Sequence, residues 1–561
     1  MELLRILRNP TLRSKYLPIV TPLKWDRWQD LLSAAGSLIQ FPDVPIGLRD
    51  GFRLGVSSSI STTFSPPNHK SALDNASFID EQISTETGAG RYSRPFSPVE
   101  FESLFGPYRS SPLGVAFHPS TGKPRLIQDH SFPRNNPLLP SINSEIDSDL
   151  FQSDWGSFSN CLLRVLNAPP GTEVAVFDVD AAHRRMPVAP EDRLHVCIAW
   201  NGKVILDFCC CFGCSSSSGI FGRCADAIKT IYIHQKVDDV LNWADDFTFW
   251  RFPILPSPSG PWTYSYDESL IWDVANTLGW PWSKKPGKCI PFASSFKYVG
   301  FEWDLTQKTV RLPDSKRQKF LAKLSPWVQN GKVSAKECQS LVGSLNHCSV
   351  VVFSSRSRLP SLYRFSAQFQ SRSQFIKLSI PNTVLKDVEW WRTVLSDPSA
   401  CSMPIRQRPP PSSCKIYVDA STSWGIGLLI DGRWQAWQLL HGWHSDGRDI
   451  GWAEMLAVEM ALLTLIAGKL PPATYSILSD NTGVVGAFST SYSRNSHQNS
   501  ILRHILILMR ESDIWLETRW IPSEENLADG PSRGKFPTQS SRIRTTVSIP
   551  PPFRSLLCMP E

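Results

Sequence analysis

The stretch VLNWADDFTFW, residues 240–250, sets Asp245 and Asp246 side by side between two apolar and aromatic runs. Adjacent carboxylates repel each other and resist transfer out of water, so burying them requires a compensating charge, most simply a cation. The plain alternative is a tight hairpin turn, in which aspartate is a favoured residue. This stretch alone leaves both interpretations open, and the rest of the chain has to decide between them.

A second acidic strand end lies upstream. The sequence EVAVFDVD, residues 173–180, is typical of a strand and contains Asp178, with Asp180 two residues further on the same face. A solvated strand end would explain these residues as well. If this strand lies beside the first, however, Asp178 meets Asp245 and Asp246, and such a cluster favours hard divalent cations such as magnesium. Two such ions can activate an attacking hydroxyl and stabilise a leaving pyrophosphate.

Composition is typical of a globular protein. The 561 residues are 41% hydrophobic and 19% charged, with a formal net charge of +7 at pH 7. This balance permits an anionic partner such as nucleic acid without requiring one. We find no signal peptide and no apolar run near the roughly 18 residues of a membrane span. We therefore expect no membrane partner and an intracellular location, cytoplasmic or nuclear.

Thirteen cysteines are too sparse for a disulfide scaffold. One cluster, CCCFGC at residues 209–214, contains a single C-x-x-C pair and no second pair at zinc-site spacing. We interpret the cysteines as reduced, packed thiols, and a zinc site is the alternative.

Six short sequence blocks follow one another along the chain, and two of them contain the aspartates described above. They are GKPRLIQDHSFPRNN (122–136), FDVDAAHRR (177–185), CFGCSSSSGIFGR (211–223), WADD (243–246), KCIPF (288–292) and YVGF (298–301). In this order they resemble a reverse transcriptase. The resemblance implies that Asp178, Asp245 and Asp246 bind metal and catalyse DNA synthesis.

The same resemblance assigns further roles. Lys123, Arg125, His183, Gly213 and Lys288 would bind the incoming nucleotide, with His183 at the position of the aromatic gate that excludes ribonucleotides. The primer grip would consist of Tyr298, Val299, Gly300 and Phe301.

The C-terminal part contains a second set of carboxylates. Asp419 and Asp480 end apolar strands, Glu454 begins a helix, and Asp529 lies in WIPSEENLADGPSR. Each has an ordinary explanation as a turn former, a first-turn acid, an N-cap or a surface acid. Together they resemble the D-E-D-D set of a retroelement ribonuclease H, which implies that all four bind metal and catalyse RNA cleavage.

The resemblance implies an α+β multidomain fold: a right-hand polymerase followed by a mixed α/β ribonuclease H-like domain. The expected segments are an N-terminal extension with a Ser/Thr/Pro-rich loop or disordered insert (1–97), fingers and palm (98–312), thumb and connection helices (313–397), a linker (398–413), the ribonuclease H-like domain (414–533) and a disordered tail (534–561). We expect basic residues of the thumb, Lys316, Arg317, Lys319 and Lys323, to face duplex phosphates or to form a solvated helix face.

The resemblance also implies cofactors and partners. Each site would use two magnesium ions, or manganese in their place. The partners would be an RNA template, a DNA primer, the RNA–DNA hybrid and deoxynucleoside triphosphates. Several phrases resemble retrotransposons of the tyrosine-recombinase (DIRS-like) class, so a recombinase of the same element is a further expected partner.

Three departures from the family pattern matter for activity. His183 is smaller than the usual gate residue, Trp243 and Cys211 replace the usual tyrosine and proline, and the loop before Asp529 lacks a histidine. The main alternative is a catalytically silent, nucleic-acid-binding protein with the same fold, either a remnant or adopted by the host. A scaffold protein with coincidental motifs is a weaker one, because the blocks occur in order.

Overall fold

The computed structural model describes residues 2–118, 122–136, 139–255, 262–370, 372–373 and 375–560. The chain is a mixed α+β protein that divides into two compact units. The first comprises Met1–Val299 and Trp303–Thr306, and the second Gly300–Glu302 and Gln307–Glu561.

The first unit combines short helices with several small sheets. Its described helices are α1 (Glu2–Arg8), α2 (Pro10–Tyr16), α3 (Trp25–Ala34), α4 (Asp43–Asp50), α5 (Lys70–Leu73), α6 (Ala76–Gly88), α7 (Pro98–Phe105), α8 (Ile142–Glu145), α9 (Phe158–Asn167), α10 (Ser217–His234) and α11 (Glu268–Leu278). Its described strands are β1 (Leu113–Phe117), β2 (Pro124–Gln128), β3 (Glu173–Asp178), β4 (Ile198–Trp200), β5 (Lys203–Ile205), β6 (Asp239–Trp243), β7 (Asp246–Arg251), β8 (Pro253–Leu255), β9 (Thr263–Tyr264), β10 (Cys289–Ala293) and β11 (Ser295–Tyr298). The next strand, β12 (Phe301–Asp304), has residues of both units.

One antiparallel sheet organises the first unit, with strand order β10–β3–β7–β6. Its strands are rich in valine and phenylalanine, which suit a pleated, buried surface. Phe177, Phe247 and Phe249 pack with Phe221 of α10 and Trp28 of α3 in one core. This core fixes the two strands that carry the aspartates.

The predicted loop at 57–97 differs from the structure. Helices α5 and α6 form there, and Ala72 and Ile79 are fully buried. Glu86 of α6 binds Arg91 at 2.6 Å and Arg184 at 2.7 Å. Helix α6 carries few apolar residues, so composition did not predict it, and one of its partners, Arg184, lies 98 residues from Glu86 along the chain.

The second unit begins with helices and ends with a six-stranded sheet. Its described helices are α12 (Asp314–Lys323), α13 (Ala335–Cys348), α14 (Pro360–Ala367), α15 (Asn382–Ser396), α16 (Ile450–Ala467), α17 (Thr482–Thr490), α18 (Ser496–Ser512) and α19 (Asp529–Ser532). Its described strands are β13 (Thr309–Arg311), β14 (Lys332–Ser334), β15 (Lys377–Ser379), β16 (Ser402–Pro404), β17 (Pro411–Ala420), β18 (Gly425–Ile430), β19 (Arg433–Leu439), β20 (Thr474–Ser479), β21 (Trp515–Trp520) and β22 (Leu557–Cys558).

The large sheet has strand order β21–β20–β17–β18–β19–β22. Strands β20 and β21 run parallel to β17, whereas β18, β19 and β22 form antiparallel pairs. Helix α16 packs on this sheet and is buried along most of its length. The sheet therefore carries Asp419 and Asp480 at strand ends and lies against the helix that carries Glu454.

Helix α16 corrects the expectation that no apolar run reaches membrane-spanning length. Its 18 residues have a mean hydropathy of 1.7, enough by length and composition to cross a membrane, but 72% of the segment is buried inside the protein. The sequence pattern missed it because Glu454 and Glu459 interrupt the run. Its burial against the sheet identifies it as a core helix.

The linker and the tail also differ from expectation. Strand β16 pairs with β13, and β17 already begins at Pro411, so structure enters the predicted linker from both ends. In the tail, β22 pairs with β19, and Val547 and Leu557 are buried. A few apolar side chains are enough to order this Pro/Ser-rich segment, because they pack against a core that the sheet already forms.

Candidate functional site

The aspartate hairpin predicted from the sequence is confirmed. Strands β6 and β7 pair up to Trp243 and Asp246, so Ala244 and Asp245 form a two-residue turn. Ala244 has a positive φ of 49°, which is uncommon for alanine and marks a tight turn. The tip thus presents both aspartates to solvent, and both are exposed.

The hairpin tip lies beside the end of β3. Asp178 is directly opposite Asp246 in the register of β3 and β7. The carbonyl of Asp245 accepts a hydrogen bond from the backbone N–H of Val179 at 3.0 Å. Although Asp246 reaches solvent, the surrounding protein atoms partly desolvate its carboxyl group. This desolvation, followed by the charges of Asp245 and Asp178, raises the pKa of Asp246 to about 6. The three predicted carboxylates are therefore neighbours.

A cation of the chain already neutralises one of them. Lys288 Nζ donates to Asp178 Oδ1 at 2.6 Å, and this hydrogen bond raises the pKa of Lys288. Asp178 is largely buried, whereas Lys288 is half exposed. We refer to Asp178, Asp245 and Asp246 as the first carboxylate group.

His183 lies between two aromatic rings. Its imidazole is 5.2 Å from the ring of Phe212 and 5.8 Å from that of Phe221. Burial lowers the pKa of His183, and its Nδ1 atom is buried without a hydrogen-bond partner among the described residues. The ring is thus a neutral, packed group.

The other predicted nucleotide-binding residues lie on loops and hairpins. Gly213 has φ of +94°, and a Cβ atom there would lie 2.8 Å from the carbonyl oxygen of Gln128, so only glycine fits. Lys123 and Arg125 are exposed on the β1–β2 hairpin.

The predicted primer grip is a turn with two positive φ angles, 45° at Val299 and 83° at Gly300. Tyr298 is buried and donates through Oη to the carbonyl of Gly156 at 2.7 Å. Phe301 stacks on His347 with ring centres 4.4 Å apart. These side chains are packed in the protein, which leaves the main chain of the turn as its outer surface.

A second carboxylate group lies in the second unit. Asp419 of β17, Glu454 of α16 and Asp480, just after β20, bring carboxylate oxygens within 4.8 Å of one another. In the described part of the chain, these are the only three or more His, Cys, Asp or Glu side chains that converge in this way. The sequence predicted all three.

Neutral donors hold this group together. Asn526 Nδ2 donates to Asp480 Oδ1 at 3.2 Å and lies 3.4 Å from Asp419 Oδ1. Ser532 Oγ donates to Asp419 Oδ2, and Ser523 Oγ donates to Asp480 Oδ2 at 2.5 Å. These three residues were not among the predicted ligands, although all lie within the motif WIPSEENLADGPSR.

Burial shifts the pKa values of the second group strongly. Burial, with the charges of Asp419 and Asp480, raises the pKa of Glu454 to about 9. Burial likewise raises the pKa of Asp419 to about 6, although the hydrogen bond from Ser532 opposes this shift. Glu454 Oε2 is buried and has no hydrogen-bond partner among the described residues. The group therefore offers oxygen ligands whose charge the protein alone does not compensate.

The fourth predicted ligand, Asp529, lies outside the converging group. Its side chain is about half exposed and accepts from Arg533 Nε at 2.7 Å. Its charge nonetheless contributes to the raised pKa of Asp419. The structure thus brings together three of the four predicted residues and places the fourth at the rim.

Most of the named basic residues of α12 bind other groups of the protein, so fewer are free to contact duplex phosphates than the sequence predicted. Arg317 is buried and donates to Asp314 and to the carbonyl of Leu395. Lys316 donates to the carbonyl of Gly300, and Lys323 donates to serines of α13. These cations stabilise the helical region, so most of this face is not free to bind phosphate.

The cysteines are free thiols in the structure. Cys211 lies 3.0 Å from His130 Nε2 and is hydrogen-bonded to Cys214. Within the described ranges, these groups do not form a converging set of three metal ligands. Ten of the thirteen cysteines are buried, in line with the prediction of packed thiols, and their reduced state stays a prediction.

Comparisons with known proteins identify similar folds only among solved structures. No family model matches the sequence, and no curated protein matches it. A foamy viral protease-reverse transcriptase in complex with RNA/DNA hybrid has a TM-score of 0.48 at 14% identity, over 92% of this chain and 66% of that chain. A complex of the foamy viral protein with double-stranded DNA has a TM-score of 0.43 at 14% identity, over 89% and 97% of the two chains. This chain therefore spans about two thirds of the first of these proteins.

Proposed function

We propose that this protein is an RNA-directed DNA polymerase with ribonuclease H activity. The observation that carries the proposal is the convergence of Asp419, Glu454 and Asp480 from two strands and a helix that are far apart in sequence. The neighbouring Asp178 and Asp246 in a separate unit supply a second, independent acidic site. The order of the sequence motifs assigns synthesis to the first site and RNA cleavage to the second.

The residues of the second group fit a divalent cation. The donors are carboxylate oxygens, which hard cations such as magnesium prefer. A buried Glu454 oxygen without a partner is costly unless a ligand binds it. Asp419, Glu454 and Asp480 would hold the metal, with Asp529 at the rim.

Bound metal ions would activate the attacking oxygen and stabilise the leaving one at both sites. In the second unit, Asn526, Ser523 and Ser532 keep the carboxylates in position, so little rearrangement is needed when substrate arrives. The nucleophile there would be water and the substrate the RNA strand of a hybrid.

In the first unit, Asp178, Asp245 and Asp246 would hold the metal, and Lys288 would bind the triphosphate. The ion pair with Asp178 keeps the Lys288 ammonium charged and beside the site. His183, packed against Phe212, would face the sugar of the incoming nucleotide. A 3′-hydroxyl of the DNA primer would be the nucleophile.

The right-hand polymerase layout, the ribonuclease H-like domain and the DIRS-like class are part of the same proposal. They are supported by the motif order and by the phrases GPYRSSPLGVAFHP and WIPSEENLADGPSR. RNA template, DNA primer, hybrid and deoxynucleotides would be its partners, together with a recombinase of the same element.

Primer extension on an RNA template tests the proposal directly. We expect DNA synthesis with magnesium and none with EDTA, and we expect loss of the RNA strand from a labelled hybrid under the same conditions. Asp178→Ala and Asp480→Asn are the matched variants, each expected to remove one activity only. A protein that binds the hybrid but shows neither activity in magnesium or manganese would refute the proposal.

One observation favours the silent, nucleic-acid-binding alternative. Lys288 binds an oxygen of Asp178 that metal coordination would use, and the first group does not converge as closely as the second. If this ion pair persists with substrate, synthesis fails while binding remains. Measuring extension by Lys288→Met at saturating magnesium separates the two possibilities, because restored synthesis would identify the ion pair as the obstacle.

A further inference from the structure

The loop that supports the second carboxylate group also exposes large apolar side chains. Trp520 is 54% exposed and Leu527 is 57% exposed. Single exposed apolar residues are ordinary on protein surfaces. These two, however, flank Ser523 and Asn526, the residues that bind the carboxylates.

The position of Trp520 is fixed relative to the second carboxylate group. Its indole Nε1 donates to the backbone carbonyl of Asp480 at 3.1 Å. The polar atom of the ring is thereby satisfied by the residue that carries a proposed metal ligand, while much of the ring remains accessible. A rigid, exposed aromatic face is a suitable surface for a base or a sugar.

Leu527 and Arg533 extend this surface. Leu527 directly follows Asn526, whose side chain binds Asp480, so its main chain is one residue away from a group that contacts the carboxylates. Arg533 is about half exposed, and its ion pair with Asp529 holds the guanidinium at the rim. An anionic centre with an aromatic, an aliphatic and a cationic group around it suits a nucleic-acid strand, which has apolar faces and phosphates.

We propose that Trp520 and Leu527 form the contact surface for the nucleic acid cleaved at the second carboxylate group. Trp520 packs on a base or sugar next to the scissile phosphate, and Leu527 supports the adjacent nucleotide. Both act as positioning residues that do not touch the reacting atoms. The proposal rests on the proposed ribonuclease H function and adds the surface that positions its substrate.

Photo-crosslinking of the full-length chain tests this surface without relying on activity. The protein would bind an RNA–DNA hybrid containing 5-iodouracil in the presence of calcium, which takes oxygen ligands as magnesium does. After irradiation and trypsin digestion, mass spectrometry would locate the crosslinked residues. Trypsin releases WIPSEENLADGPSR, residues 520–533, which carries both positions. We expect a crosslink to Trp520 in this peptide. Crosslinks elsewhere with none in this peptide would overturn the proposal.

Steady-state kinetics of RNA cleavage supply the second measurement. Base–aromatic stacking contributes roughly 1–3 kcal/mol, so Trp520→Ala should raise KM about 5- to 150-fold with kcat within about twofold. Trp520→Phe keeps a ring and should recover most of the affinity. Leu527→Ala should raise KM less, and Ile507→Ala, at 44% exposure on α18, is the matched control and should leave it unchanged.

These outcomes separate the surface from the activity. A protein that crosslinks through Trp520 but leaves RNA intact would refute the nuclease and retain the surface. Cleavage with an unchanged KM in Trp520→Ala would refute the surface and retain the nuclease. Equal loss of thermal stability and activity in the Phe and Ala variants would show a purely structural role and would also overturn the proposal.

Discussion

The two carboxylate groups differ in how the protein holds them. In the second group, neutral donors from Asn526, Ser523 and Ser532 bind Asp419 and Asp480, and the acids converge within 4.8 Å. In the first group, the cation Lys288 binds Asp178, and the other two acids lie exposed on a hairpin tip. Neutral donors position a carboxylate and leave its negative charge uncompensated, whereas a cation compensates that charge.

Under the proposed function, we expect the second group to be organised before ligands bind and the first to be completed by its substrate. A triphosphate could draw Lys288 away from Asp178 and free that carboxylate for metal. The predictions below test this contrast, beginning with the largest expected effect.

The strongest test is reciprocal loss of activity. Asp245→Ala should reduce DNA synthesis by at least about 100-fold and leave RNA cleavage unchanged. Glu454→Gln should reduce RNA cleavage by at least about 100-fold and leave DNA synthesis unchanged. Removal of one electrostatic group from an active site typically lowers the rate by this factor. Both rates are measured on one labelled RNA–DNA substrate. Loss of both activities in either correctly folded variant would mean that the groups are not independent.

A second test concerns nucleotide selection in the first unit. A pocket that accommodates an added hydroxyl group discriminates against it by only about 100-fold. His183→Tyr should improve on this selectivity, because the larger ring fills the space that the 2′-hydroxyl needs. We expect incorporation of ribonucleotides relative to deoxynucleotides to fall by about 10-fold. Competition primer extension with matched rNTP and dNTP measures the ratio. An unchanged ratio would show that His183 is not the gate.

A third test compares metal binding at the two groups without nucleotide. Lys288→Met removes the cation from Asp178 and should strengthen manganese binding to the first group about 10-fold, corresponding to about 1.4 kcal/mol. Binding to the second group should not change. Manganese paramagnetic titration in Asp480→Asn and Asp178→Ala backgrounds resolves the two contributions, and a weaker first site in Lys288→Met would contradict the model.

The smallest expected effect is on stability, and α16 offers its own control. Magnesium should raise the free energy of unfolding by about 1 kcal/mol at a concentration about five times the Kd. Glu454→Gln should abolish this gain. Glu459→Gln should keep it, because Glu459 is bound by His504 at 2.5 Å and lies outside the group. Differential scanning fluorimetry with and without magnesium measures both, and an equal gain in the two variants would remove Glu454 from the site.

Much of this architecture follows from local sequence. Strand patterns around Asp178, Asp419 and Asp480 and the aspartate turn all have short-range signals, so their elements could be predicted. The convergence of the second group has no local signal, and only the resemblance to a ribonuclease H predicted it.

What sequence could not supply depends on long-range contacts. Asn526 is one polar residue among several in its loop, and only the folded sheet shows that it bridges two carboxylates. Arg317 has the pattern of a surface residue, yet it is buried against α15. Helix α6 and the C-terminal tail are polar segments whose order comes from distant partners, and local composition carries no trace of them.

The short strand β22 has a consequence for association between molecules. It pairs with β19 through Gln438 and Leu439, and the N–H of Ile543 donates to the carbonyl of Trp434 on the same strand. The tail thus covers an edge whose main-chain groups could otherwise pair with another chain. A chain shortened to residue 533 would expose that edge, and its first symptom would be self-association into aggregates rather than a slower reaction.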